Sequence, residues 1–302
     1  MNMKKRRITV NSDTVFDTVN TLLMVILLFV FVWPLWFVII ASFSDPSQVW
    51  AGNVLLLPKD ITLISYEELI AYKQIWTGYA NSIFYTVTGT ALNMVLTVCC
   101  AFPLSRKNFP PRKLLLVLVM FTMYFNGGII PTYMMMRKVG ILNTRWAMIV
   151  PGAISVYNML VVRSYFINSI PKELEEAAII DGANLAQYLW KIVLPLSKPV
   201  LAVVGLYYAV AHWNDFYNAL LYLNDAAMKP LQSILRELLT SSQMLADQIS
   251  SGVDAASLLE KKNLAETMKY SMIIVSVIPM MCVYPFVQKH FVKGVMVGSI
   301  KG

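Results

Sequence analysis

Charge is scarce in this chain: Asp, Glu, Lys and Arg make up 14% of its 302 residues, against about 25% in soluble domains. Together with 57% hydrophobic residues, that scarcity excludes an ordinary soluble domain and implies an integral membrane protein. Histidine is nearly missing. The two copies, His212 and His290, fall on opposite sides of the membrane in the topology derived below. Neither H-E-x-x-H nor G-x-S-x-G occurs, so a membrane-embedded enzyme has no constellation to work with. There are three cysteines, Cys99, Cys100 and Cys282, all in apolar runs. They read as small core residues, not as a disulfide framework. The chain also lacks G-x-x-x-x-G-K-[ST] and any glycine-rich nucleotide signature, which excludes an ATP site of its own. Strict alternation over segments of about ten residues is missing, and with it a membrane β-barrel. No basic face carries interleaved aromatics, so nucleic acid is not an expected partner.

What is present is six long apolar runs: Leu22–Ala41, Ile83–Phe102, Leu114–Met136, Trp146–Val162, Pro199–Leu223 and Ser271–Gln288. A hydrocarbon core of about 30 Å needs about 20 apolar residues per helix. The fourth and sixth runs are short and extend into their flanks. The expectation is an all-α membrane protein with spans near 22–42, 82–104, 114–136, 145–167, 199–223 and 270–290. These make a permease-sized domain over 21–295, between an N-terminal segment 1–20 and a tail 296–302. Lys4, Lys5, Arg6 and Arg7 precede the first run as in a signal peptide. Its apolar stretch exceeds the 7–15 residues of such a peptide and no small-x-small cleavage site follows. It reads as an uncleaved first span.

Lys and Arg orient the spans. Four stand before the first, and four more, Arg106, Lys107, Arg112 and Lys113, connect the second to the third. Arg163, Lys172, Lys191 and Lys198 flank or occupy the segment 168–198, and Lys289, Lys293 and Lys301 follow the sixth. Six spans bring all of these to one side, so both termini are expected in the cytoplasm of a multi-pass cell-membrane protein.

Outside lie two long segments, Phe43–Ala80 and Asn224–Lys269. In the second, Pro230 opens an apolar helical face of Leu231, Ile234, Leu235, Leu238 and Leu239, and Ala255–Glu266 forms a second amphipathic piece. Two readings fit: interfacial helices covering the bundle, or a platform for an extracellular partner. Helix breakers cluster at Gly127, Gly128 and Pro131 and again at Pro151 and Gly152, with Pro279 and Pro285 in span six. Broken backbone inside a membrane is tolerated where protein or a water-filled cavity satisfies it.

Span five holds the costly residues. On a continuous helix Tyr208, His212, Asp215 and Tyr222 share one face, with Asn214 and Asn218 in an adjacent row. An Asp at mid-membrane costs about 2.5–3.5 kcal/mol and must face the bundle or water. Asn126, Tyr208, His212, Asn214, Asp215 and Asn218 are therefore candidates for a translocation path, the plainer reading being polar glue between helices.

The segment 168–198 contains Glu176-Ala177-Ala178-Ile179-Ile180-Asp181-Gly182 and then Ile192-Val193-Leu194-Pro195. The two alanines favour helix with minimal bulk, so another protein can approach closely. Gly182 suits a left-handed stop, and Pro195 with Pro199 ends the second short helix before span five. A helix of this kind is a poor core element and a good knob for a socket. Its residues and spacing resemble the EAA motif of permease subunits in binding-protein-dependent ABC importers, with all seven fixed positions present. The resemblance continues through Asn81-Ser82, Trp213-Asn214, Tyr284-Pro285, Gly294, Gly298 and Gly302. Within that family the chain is most similar to carbohydrate permeases of the type of the second maltose permease subunit. Phe125-Asn126-Gly127-Gly128 with Pro131, and the ending Phe291-Val292-Lys293-Gly294-Val295, resemble the Gram-positive group that serves oligosaccharides or complex glycans through lipoprotein receptors.

That resemblance implies a type I importer permease fold with a cytoplasmic coupling helix. Glu176, Ala177, Ala178, Asp181, Gly182, Ile192, Leu194 and Pro195 would seat on an ATPase subunit. The tail residues Ser299, Ile300, Lys301 and Gly302 would reach the same ATPase dimer. It further implies a second homologous permease, two ATPase subunits, an extracellular solute-binding lipoprotein and a carbohydrate as cargo. ATP and Mg would sit on the partner, with no cofactor, metal or catalysis on this chain. Importers of amino acids, peptides and ions share the motif, so the motif alone names the drive and not the cargo.

Overall fold

The apolar run from Leu22 onward contains only one helix breaker, Pro34, and it folds as a single helix, α1 (Ser12–Ser42), of 31 residues. This computed structural model describes residues 12–250, 268–283 and 285, and for 12, 14 and 241–250 it describes the backbone alone. The segment 255–266, Tyr284, the ending Phe291–Val295, the last three glycines and the tail from Ser299 lie outside the described residues. Every element among the described residues is helical, without strands. The chain divides into two bodies, one within residues 1–69 and 242–275, the other within 70–241 and 276–302.

In the first body α1 is exposed along most of its length and buried only near its end, at Ile40, Ala41 and Ser42. An exposed apolar helix of this length is stable only in lipid or against another apolar surface. Its C-terminal turn is tied to the segment that follows. Ser44 Oγ donates to the Ile40 carbonyl (2.7 Å) and accepts from Lys59 N (3.1 Å), and Tyr66 Oη donates to Ser42 Oγ (2.9 Å). Two short helices follow α1: α2 (Pro46–Trp50) and α3 (Ile64–Ala71).

The second body is built on α4 (Lys73–Ser105), 33 residues and about 50 Å long. Its buried positions include Asn81, Tyr85, Gly89, Asn93, Thr97 and Ala101, one every four residues. Against this row pack α7 (Val156–Asn168) and α11 (Lys198–Trp213). Toward the first turns of α4, Tyr85 joins a cluster with Met136, Met148, Ala219 and Tyr222. Toward its end, Ala101 and Leu104 join Met159, Val162, Phe166, Val200 and Val204.

Expected spans three, four and five are interrupted. Span three is two helices, α5 (Arg112–Tyr124) and α6 (Ile129–Val139), bent by 115°. The break has a local cause: Asn126 Oδ1 accepts from Gly128 N (2.9 Å), and Gly128 takes φ +87°, a left-handed value that favours glycine. Span four is a 3-10 turn at Arg145–Met148 followed by α7, whose 13 residues extend only about 20 Å. Span five divides into α11 and α12 (Tyr217–Tyr222). Of span six, Met268–Val283 (α14) is described. Among the described residues two unbroken helices, Val15–Ser42 and Lys73–Ser105, are thus long and apolar enough to cross a membrane, and up to four spans result if each bent pair counts once.

The cysteines are not core residues as expected: Cys99 and Cys282 are exposed and only Cys100 is half-buried. Cys99 lies off the four-residue row that α4 buries, so helix phase and not polarity decides its position.

The Asn81-Ser82 pair fastens α13 (Leu231–Ser250) where it starts. Asn81 Nδ2 donates to the carbonyls of Ala227 (2.8 Å) and Lys229 (3.1 Å), Ser82 Oγ accepts from Leu231 N (2.9 Å), and Tyr85 Oη donates to the Met228 carbonyl (2.8 Å). Pro230 precedes the helix as a lead-in residue and its carbonyl accepts from Ser233 N (3.0 Å). Gly78 gives room here: a Cβ on it would stand 3.2 Å from Leu231 Cα and 2.5 Å from Ile234 Cδ1. Asn81→Ala strands two carbonyls, so a loss of about 1–3 kcal/mol is expected. A lowered unfolding temperature in detergent, with faster proteolysis after residue 226, is the measurement.

Candidate functional site

Two groups of sequence-selected residues come together, at different places in the second body. The first is the segment 173–196. Helix α8 (Glu173–Ile180) begins with Glu173, Glu175 and Glu176 in its first turn, where carboxylates oppose the positive end of the helix dipole. It ends by a doubly bonded cap: Ala183 N donates to the Ala178 carbonyl (2.9 Å) and Gly182 N to that of Ile179 (3.0 Å). Gly182 holds φ +74° with open space around it, so backbone conformation and not crowding requires glycine there.

Helix α9 (Leu185–Tyr188) then starts on a reciprocal box, Gln187 N donating to Asn184 Oδ1 (2.8 Å) and Asn184 N to Gln187 Oε1 (3.0 Å). A π-helical turn, Leu189–Val193, leads into α10 (Leu194–Leu196). Pro195 withholds the N–H that the Lys191 carbonyl would take in an α-helix, which suits the wider turn before it. The stretch Leu185–Leu196 meets α11 at 82°.

The two alanines differ from expectation. Ala177 is exposed, but Ala178 is 5% exposed and belongs to the protein's own core. The outward surface consists instead of large apolar side chains, with Ile180 85% and Trp190 70% exposed and Ile179 and Leu185 beside them in the exposed set. Glu176 and Asp181 are exposed, and neither enters an ion pair among the described residues. Leu194 and Ile192 are half-buried and Pro195 is exposed.

Sequence reasoning passed over the residue beneath this segment, Arg106. Its guanidinium pairs with Glu175 and lies over the rings of Phe102 (5.2 Å) and Tyr188 (4.9 Å). Burial, the larger effect, raises the Tyr188 phenol above its ordinary pKa. Arg163 Nε donates to the Leu104 carbonyl (2.9 Å), one of the carbonyls that a helix end leaves unpaired. A signal existed in the chain: four cations in the short stretch 106–113 had been read only as topology.

The second group is a cleft of about 450 Å³ lined by Asn93, Pro151, Gly152, Ser155, Asn158, Tyr207, Tyr208, Ala211, His212, Asn214, Asp215 and Asn218. It collects five of the six path candidates. Asn126, exposed in the α5–α6 break, does not line it. The shared helical face is corrected by the structure, because α11 stops at Trp213. Asp215 Oδ1 accepts from Asn218 N (3.0 Å) and Oδ2 from Asn218 Nδ2 (2.7 Å). Such local side-chain bonds compete with helix continuation. Tyr222 is thereby carried away from the cleft into the cluster around Met136.

Below the rim the cleft closes on α4. Tyr208 Oη lies 2.8 Å from Thr97 Oγ1 and accepts from Ser155 N at 3.1 Å. The Asn93 amide satisfies its neighbours when Oδ1 accepts from His212 Nε2 (3.1 Å) and its nitrogen donates to the carbonyls of Gly89 (2.8 Å) and Ala153 (3.3 Å). A Cβ on Gly89 would stand 2.4 Å from His212 Nε2. Tyr208 and His212 therefore join helices, whereas Asn214, Asp215 and Asn218 face the opening. Pro151 and Gly152 bring the break of span four to the same cleft.

Comparison with known proteins gives the family and the fold. The family described as binding-protein-dependent transport system inner membrane component matches residues 3–297. Protein LplC of Bacillus subtilis (strain 168) is 38% identical over 291 residues, 95% of each chain. The polygalacturonan/rhamnogalacturonan transport system permease protein YtcP of the same strain is 41% identical over 266 residues, 88% of this chain and 91% of its own. A chain from the crystal structure of a bacterial ABC transporter involved in the import of the acidic polysaccharide alginate superposes with TM-score 0.82 at 33% identity. That match covers 96% of this chain and all of the other. The fold is that of a type I ABC importer permease, a transport subunit without catalysis, whose ATP is hydrolysed by a separate ATPase. The chain belongs to the family of binding-protein-dependent transport system inner membrane components.

Proposed function

We propose that this permease imports a carbohydrate, in the range of oligosaccharides, handed over by an extracellular solute-binding lipoprotein. The observation that carries the coupling half of this reading is the exposed apolar surface of 173–196: Ile179, Ile180, Leu185 and Trp190 project from a segment capped at both of its turns. A surface of that kind in water calls for a partner, and the family supplies one, the ATPase. The names of the relatives YtcP and of the alginate importer support sugar as cargo. In the full arrangement six spans set both termini, and residues 168–198, in the cytoplasm. A second homologous permease completes the pathway, and two ATPase subunits hold ATP and Mg. This chain itself holds neither. Loaded binding protein and ATP each favour one of two states, and the coupling segment links the two preferences.

Asp215, Asn214 and Asn218 form the part of the path this subunit offers. Neutral amides, hydroxyls and one carboxylate suit the hydroxyl groups of sugars, and an importer of another solute is the second reading. Sequential loading of the purified binding protein with candidate sugars separates the two.

Three outcomes are expected. Gly182→Val forces a β-branched residue into a left-handed position, costing about 1–2 kcal/mol locally. Sugar uptake should then fall at least several-fold, as with Glu176→Ala, while the second permease still co-purifies. Undiminished uptake in both would remove the coupling role. Asp215→Ala should lower uptake without changing the amount of ATPase bound, and equal uptake would take the cleft off the path. Gly89→Ala displaces the His212 ring and should cost about 1–3 kcal/mol by overpacking, read as a lower unfolding temperature.

A further inference from the structure

We infer that Arg106 is the positioning residue through which movement of the coupling segment is passed to α4. The inference rests on the proposed role of 173–196 and adds the route by which that role reaches the cleft.

Helix α8 does not lie flat on the body beneath it. A cleft of about 290 Å³ separates it from the end of α4, lined by Ser105, Arg106, Lys107, Glu175, Glu176 and Tyr188 among others. Arg106 reaches across. Its backbone is the first residue after α4, with its N–H bonded to the Pro103 carbonyl (3.1 Å), so its Cα moves with that helix. Its side chain is 15% exposed and ends on three groups from three elements: the Glu175 carboxylate on α8, the Tyr188 ring on α9 and the Phe102 ring on α4. One planar cation thus holds both short helices to the end of the long one. Arginine suits this because its fork pairs with a carboxylate while its face lies on aromatic rings, which an ammonium does less well.

From Arg106, α4 runs without a break back to Thr97, Asn93 and Gly89, which contact Tyr208 and His212. Thirteen residues separate Arg106 from Asn93, about 20 Å of helix. A displacement of α8 therefore reaches the floor of the cleft through a side-chain tie and one continuous helix, which contains Pro103 near its end. The cleft leaves the first turns of α8 partly unpacked, with Ala178 its one buried residue in the core, so the Arg106–Glu175 pair is the polar tie that carries a displacement of those turns to α4.

The test uses the complete complex, both permeases with the ATPase pair, in proteoliposomes with loaded binding protein. Sugar transported and ATP hydrolysed are measured together. Arg106→Gln is expected to assemble and to keep basal hydrolysis, while transport per ATP falls about tenfold, within the usual range of coupling energies. Arg106→Lys should fall between it and the natural chain. Because Arg106 acts through Glu175, the double variant R106Q/E175Q should be no worse than R106Q alone. Unchanged transport per ATP in R106Q overturns the inference, as do multiplying defects in the double variant. Failure of both R106Q and R106K to assemble also overturns it, since Arg106 would then build the fold instead. A Glu176→Ala arm separates the two levels. If only that variant uncouples, the coupling role of α8 stands without Arg106, and if neither does, both fall.

Discussion

Asn81, Tyr85, Gly89, Asn93, Thr97 and Ala101 recur every fourth residue of α4, and each is buried. Four residues advance an α-helix by 400°, so the row drifts about 40° per step and winds around the helix. That winding lets one helix meet different neighbours in turn: the loop before α13 at its start, α11 in the middle, α7 at its end. Small and polar residues do this work where aliphatic ones would not. Inside a bilayer there is no hydrophobic drive between helices, so close approach and interhelical hydrogen bonds must hold them.

The middle of that row shows how tightly shape and bonding are joined. Gly89 has no side chain, and the space is filled by His212. His212 in turn offers Nε2 to Asn93, whose amide nitrogen satisfies the carbonyls of Gly89 and Ala153. Each group serves the next. What faces the opening is a different set: Asp215 and Asn218, bonded to each other at the start of α12, and Asn214, whose Nδ2 donates to the Val210 carbonyl of α11 (3.0 Å). The residues that join helices and those that face the opening are adjacent but separable.

Much of the segment 173–196 was legible in the sequence because its signals are local. Gly182 in a left-handed cap and Pro195 near α11 act within one or two turns, and Asn184 with Gln187, found only in the structure, is equally local. The long apolar helices α1 and α4 were legible for the same reason. The cleft was only half legible. A helical projection grouped Tyr208 with His212, but it ran through Asn214 and Asp215 as if helix continued, and so misplaced Tyr222. Ala178 was taken for outer surface because smallness reads alike on either side of a helix. Arg106 was hidden for another reason: its partners are 4, 69 and 82 positions away, a relation that no periodicity carries. The four-residue row on α4 was in plain sight, and it needed only to be counted at that interval.

The right angle between Leu185–Leu196 and α11 has a mechanical consequence. Twelve residues make an arm of about 18 Å, joined at its inner end to the foot of a span. A push on the outer end, across the arm, produces little thrust along α11 and a torque about its axis. A tip displacement of about 2 Å then turns α11 by about 6°. In the proposed coupling, such a crank would turn the closing of a partner ATPase into a twist of the helix that carries Tyr208 and His212, with little thrust along that helix.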